Sequence, residues 1–155
     1  MSLDDLRAIY QELILDHGKS PRNFAQPQTY THKAAGYNPV CGDQLVVYLN
    51  VNTDDHLQGC HFTGQGCAIC IASASIMSEM VRDKSKAQVI TLVSETKDLA
   101  TGVRDEPNDA IDEDDRIRLT ALSGVRMFPT RVKCATLAWH TLQAALDNVE
   151  EVSTE

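Results

Sequence analysis

The chain has 155 residues, a formal net charge of −8, 43% hydrophobic residues and 23% charged ones. That length suits one domain with a real core and is short for two, and the apolar fraction points neither to disorder nor to a membrane protein. The acidic balance disfavours nucleic acid as a partner, and no stretch approaches the roughly 20 apolar residues that a membrane span requires.

In chain order, Leu3, Leu6, Ile9, Tyr10, Leu13 and Ile14 recur at helical spacing, and Ser2 with Asp5 is placed as an N-cap pair. This opening lacks a basic stretch followed by an apolar run, so no secretory signal is expected and a cytoplasmic location is. The helix is predicted to stop at Gly18, ahead of Pro21. Residues 24–31, with Pro27, read as a loop, and residues 33–37 as a short strand. Residues 44–52 (QLVVYLNVN) and 57–63 predict two strands of a hairpin, with Thr53, Asp54 and Asp55 supplying the turn. Gly64 and Gly66 should then break the sheet before Cys67.

Residues 68–82 predict a helix rich in Ala and Ser, small enough to lie close against the sheet or another helix. Ser85 with Gln88 suggests a second capping box, opening a helix to about residue 100 that ends at Gly102. Asp105, Glu106, Asp109, Asp112, Glu113, Asp114 and Asp115 gather seven carboxylates, which leaves the rest of the chain near −1. They read as a solvated loop running into a helix start, or as a docking surface for a partner. A shorter helix over residues 117–122 should be closed by Gly124, and Pro129 and Thr130 should introduce a last helix from residue 131 to about 149. Strands followed by helices indicate an α+β fold, a small antiparallel sheet packed with about five helices. One domain is expected over residues 1–150, with a frayed polar tail at 151–155.

Five cysteines, an odd number at irregular spacing, do not form a secreted disulfide framework; in a reducing compartment such thiols are core residues, nucleophiles or metal ligands. Cys41 lies in Tyr37-Asn38-Pro39-Val40-Cys41-Gly42-Asp43, where Pro39 stiffens the loop and Gly42 permits unusual backbone angles. Cys41 and Asp43, two apart in extended chain, can point the same way and make half of a tetrahedral zinc site. Cys67 precedes the small-residue helix and Cys134 sits in the first turn of the last one. Both feel the positive end of a helix dipole, which favours thiolate over thiol. Any one of the three alone could be a small buried apolar residue. As a set beside Asp43 they point to a site.

At these residues the sequence resembles a known family. YNPVCGDQ, GQGCAICIASASIM and PTRVKCATLAW, with the opening YQELILDHGKSPRN, are similar to the segments of the SufU/IscU/NifU N-terminal family of iron–sulfur cluster assembly proteins. The likeness runs from about residue 9 to residue 140. It implies a three-stranded antiparallel sheet flanked by helices and a metal site of Cys41, Asp43, Cys67 and Cys134. IscU-type scaffolds carry a histidine just before the third cysteine, where this chain has Lys133, an ammonium without a lone pair at neutral pH. That departure, and the long acidic connection between Cys67 and Cys134, resemble the SufU-type branch. The resemblance therefore implies a zinc-dependent sulfurtransferase. It would accept persulfide sulfur from a cysteine desulfurase of the SufS type and serve downstream iron–sulfur assembly proteins. The alternative is an IscU-like scaffold that binds iron and an assembling iron–sulfur cluster. A purely structural zinc domain is the third reading, though the paired CxxC knuckles of such modules are missing.

Within the implied site, Cys41 is the expected sulfur acceptor, since a glycine-adjacent loop can release it while Cys67 and Cys134 on helices keep the ion. Arg131 and Lys133 are near enough in sequence to offset the site's negative charge and help an anionic persulfide approach; the plainer reading makes both ordinary exposed bases. Cys60, alternating with Phe62 in a strand, reads as core. Cys70 completes a CxxC with Cys67, yet no βαβ unit surrounds it, so core filler is expected rather than a redox pair. His140 lies well round the helix from Cys134. His17, His32, His56 and His61 are expected at the surface.

Overall fold

The computed structural model describes residues 2–154. Helix α1 (Leu3–Lys19) opens with the reciprocal capping box of Ser2 and Asp5 and runs through Gly18 to a cap at Ser20. A loop then leads to β1 (His32–Asn38), β2 (Asp43–Val51) and β3 (Leu57–Gln65), an antiparallel meander. Gly64 does not end β3. It sits at φ 143°, and a Cβ there would lie 2.1 Å from the Gln44 carbonyl oxygen, so this close strand approach needs glycine.

The α+β class holds, but the sheet is not three-stranded and antiparallel. Its order is β3-β2-β1-β4, with β4 (Glu151–Ser153) parallel to β1. The polar tail expected to fray thus supplies a strand. It is held by backbone bonds that need no apolar side chains, Ala35 N to Glu150 O at 2.8 Å and Thr154 N to Tyr37 O at 3.0 Å, with Val152 half-buried between exposed neighbours.

After the sheet come α2 (Ala68–Met80), α3 (Lys86–Thr101), α4 (Glu113–Leu122) and α5 (Val132–Leu146). Helix α3 has the capping box of Ser85 and Gln88 and ends in left-handed Gly102. Gly124 does not close α4: the chain continues into a 3-10 turn, Ser123–Met127, and a second, Pro129–Arg131, before α5. Gly124 is needed for packing instead, because a Cβ there would stand 2.6 Å from Tyr10 Cβ. Helix α5 packs on β1 and β2, and α2 packs between α1 and α5. The small residues of α2 allow that approach. Buried Ser73 donates to the Ala135 carbonyl at 2.6 Å and accepts from Trp139 Nε1 at 3.1 Å, so the close contact carries satisfied polar groups. Among the described residues, no helix is long and apolar enough to cross a membrane.

Two polar expectations are corrected. Asp115 is 1% exposed rather than solvated, paired with Lys84 at 2.8 Å and Arg118 at 3.2 Å, so the acidic segment is tied into the fold where α4 starts. His17 is 6% exposed, its Nδ1 2.7 Å from Ser75 Oγ on α2. Burial, and then the charge of Arg22, hold its pKa below the ordinary 6.5. Above pH 6.5 both folded and unfolded chains carry the neutral ring. Below it the unfolded chain takes the proton first, so the stabilisation that His17 gives is lost as pH falls through its lowered folded value. His17→Gln removes the titration. The stability gap between wild type and variant, read by thermal melting, should narrow between about pH 7.5 and about pH 5; a gap that widens contradicts this.

Candidate metal centre

The segment Asn38–Asp43 is the loop of the first hairpin. Asn38 and Asp43 face each other in the β1–β2 register and close a four-residue turn at 39–42. Gly42 takes a φ of +70°, which glycine adopts without cost, and carries the chain from Cys41 back into β2. The hairpin thus sets Cys41 at its tip and Asp43 at its base. Cys134, the third residue of α5, meets them from the other side, its sulfur 3.2 Å from that of Cys41.

One ligand atom each from Cys41, Asp43 and Cys134 lies within 4.8 Å of the other two; Asp43 and Cys134 are buried and Cys41 is half-buried. No imidazole belongs to this group among the described residues. Cys67 is the N-cap residue of α2, half-buried, and its thiol interacts with that of Cys134 without joining the tight group. Its backbone amide donates to Asp43 Oδ1 at 2.9 Å. Gly66 permits this: a Cβ there would lie 2.6 Å from the same oxygen. The other Asp43 oxygen accepts from Asn38 Nδ2 at 3.1 Å.

Burial, followed by the hydrogen bond to Cys41 and the charge of Cys67, pushes the Cys134 thiol up. Two thiols and a carboxylate within 4.8 Å of one another, two of the three groups buried and the Cys67 thiol beside them, are stable together only when protons or a cation neutralise them. The donor set suits zinc, which takes sulfur and oxygen ligands tetrahedrally. Arg131 is exposed at the rim. A hydrogen bond to Cys134 raises its pKa first, and the charges of Cys67, Cys134 and Cys41 raise it further. Lys133 does not share this position; it lines a separate hollow with Lys97, Asp98 and His140.

The other two cysteines stand where the sequence put them. Cys60 is 2% exposed in β3, and burial pushes its thiol up to about 12. Cys70 is fully buried, its thiol raised by burial first and by Asp43, Cys67 and Cys41 next. Cys70 is sealed from solvent in the core, which argues against a Cys67–Cys70 redox pair. All five cysteines are free. Sequence reasoning missed two neighbours of the site. Asn38 was legible only as one half of an Asn–Asp pair bracketing a Pro–Gly turn. Tyr10 reads as one more apolar position of α1, yet its buried hydroxyl has no hydrogen-bond partner among the described residues, and its pKa is raised to about 12 by burial and then by Cys67 and Cys134.

The chain is similar to known proteins over most of its length. Residues 9–135 match the family model of the NifU-like N terminal domain. The zinc-dependent sulfurtransferase SufU of Bacillus subtilis is 33% identical over 94% of this chain and 95% of its own length. An iron–sulfur cluster assembly scaffold protein IscU from Streptococcus pyogenes is also 33% identical, over 94% of this chain and 87% of its own. A crystal structure from Fervidobacterium islandicum, of a protein assigned as an iron–sulfur cluster assembly scaffold for the SUF system, superposes with a TM-score of 0.77. It has 29% identity and covers 90% of this chain and 97% of its own.

Proposed function

The chain belongs to the NifU-like N-terminal domain family, and we propose that within it the protein is a zinc-dependent sulfurtransferase of iron–sulfur cluster assembly. The observation that carries this reading is the convergence of Cys41, Asp43 and Cys134 in a group without an imidazole, with Lys133 just before Cys134. The 33% identity to a zinc-dependent sulfurtransferase supports it. Cys41, Asp43, Cys67 and Cys134 would hold the ion, Cys67 closing the set from the start of α2. Zinc, when bound, keeps the thiolates charged and ordered without redox chemistry of its own.

Cys41 is the acceptor in this reading. Its thiolate attacks the outer sulfur of a persulfide on a cysteine desulfurase of the SufS type. The sulfur–sulfur bond of the donor breaks, the donor cysteine leaves as thiolate, and the sulfur ends as a persulfide on Cys41, with no net oxidation. Cys41 suits the role because it is half-buried at a hairpin tip, whereas Cys134 is buried on a helix. Arg131, exposed beside the thiols, is suited to draw the anionic persulfide in and offset the site's charge of about −2. Downstream iron–sulfur assembly proteins would take the sulfur onward. Five free thiols support a cytoplasmic, reducing setting.

A scaffold that holds an assembling cluster is the second reading, favoured by the equal identity to a protein of that name. The two readings separate on purification. The sulfurtransferase should carry about one zinc per chain by elemental analysis and show no visible absorption. A brown, air-sensitive protein with stoichiometric iron and sulfide would instead establish the scaffold.

A further inference from the structure

Asn38 is 1% exposed, and its side chain touches two members of the metal centre at once. Nδ2 lies 3.1 Å from Asp43 Oδ2 and 3.5 Å from Cys134 Sγ. A carboxylate only accepts hydrogen bonds, so the amide must present its NH₂ to the site and its oxygen away from it. On the far side, Thr154 Oγ1 is 3.1 Å from Asn38 Oδ1 and donates to it. Thr154 arrives there because β4 runs parallel to β1 with Ser153 beside Tyr37, and the Thr154 amide then bonds to the Tyr37 carbonyl at 3.0 Å.

We infer that Asn38 is a positioning residue of the metal centre, and that Thr154 in the C-terminal segment fixes its orientation. The physical need is plain. Asp43 is 1% exposed, with the Cys67 amide donating to Oδ1, Asn38 donating to Oδ2, and the Cys134 thiol also bonded to the carboxylate. Without Asn38 the buried Oδ2 loses its amide donor, so the carboxylate is held less firmly, and the Cys134 sulfur loses a donor that stabilises its charged form. Without the Thr154 hydroxyl the amide loses its outer anchor and its NH₂ is held less firmly toward the ligands. The C-terminal strand then serves as more than an edge of the sheet: it braces two ligands from behind.

This inference rests on the proposed metal site, and the test separates the two. Zinc affinity of the full chain is measured by competition with a chromophoric chelator, and cobalt(II) is substituted to read the thiolate-to-metal charge-transfer band. Asn38→Ala should weaken zinc by about 10–100-fold. Its cobalt band should move to lower energy, since a thiolate that loses a hydrogen bond gives up electron density more readily. Thr154→Val should produce the same two changes at smaller size, a few-fold in affinity, and it keeps the test alive if Asn38→Ala does not fold. A purely structural role would move the melting temperature and leave the cobalt band in place. Wild-type affinity and band position in both variants overturn the inference, and a normal Thr154→Val beside a weakened Asn38→Ala overturns the bracing from the C-terminal strand. A wild-type chain that binds neither metal overturns the metal site itself.

Discussion

Cys134→Ala is expected to lose tightly held zinc and to melt about 10 °C below the wild type in the presence of zinc. Cys134 is fully buried on α5 and meets Cys41 on the first hairpin at 3.2 Å, so an ion held there ties the hairpin to the last helix. Binding free energy at such a site is also folding free energy. With free zinc a thousandfold above the dissociation constant, the linkage is worth about 4 kcal/mol. A chain of this size shifts by about 2–4 °C for each kcal/mol. The variant also removes one sulfur from the core, and chelator separates the two effects. Stripped of metal, wild type and variant should melt within about 3 °C of each other, the modest cost of a small buried deletion. A variant that keeps its full zinc would show that Cys134 is not a ligand.

Cys41→Ala should behave differently. Stimulation of a cognate cysteine desulfurase should fall to the rate of the desulfurase alone, while part of the zinc stays bound. Metal retention needs enough ligands, and Asp43, Cys67 and Cys134 remain; sulfur transfer needs one particular attacking thiolate. Position separates the roles, because Cys41 is half-buried on the turn at 39–42 and the others are set on a strand base, a helix cap and a helix. Undiminished stimulation by Cys41→Ala would place the acceptor elsewhere.

Most of the local structure was legible because its causes are local. Ser2 with Asp5, Ser85 with Gln88, and Gly102 mark helix ends by capping chemistry alone, and each appears where the sequence puts it. The β2–β3 hairpin follows from the β-branched and aromatic run at 44–52 and the turn at Thr53, Asp54 and Asp55. What escaped depends on partners distant in the chain. Strand β4 is three residues long, and its pairing with β1 spans more than a hundred residues, so nothing in Glu151, Val152 and Ser153 announces it. His17 reads as a polar residue near a helix end until Ser75 of α2 covers it. Gly124 reads as a stop signal, whereas the close approach of Tyr10 is what requires it. At the site, the cysteines and Asp43 stand out by type and spacing, and Arg131 by proximity. Lys133, two residues later, turns to another face, which sequence distance cannot distinguish. Asn38 went unnoticed because an amide carries meaning only through what it touches.

Whether this chain takes sulfur onto Cys41 is decided by intact-mass and peptide mass spectrometry. The zinc-loaded protein is incubated briefly with a cysteine desulfurase and cysteine, then trapped with an alkylating reagent that preserves persulfides. One added sulfur atom is expected, located on the peptide that contains Cys41. Sulfur on Cys60, Cys67 or Cys70 with Cys41 unmodified would contradict it.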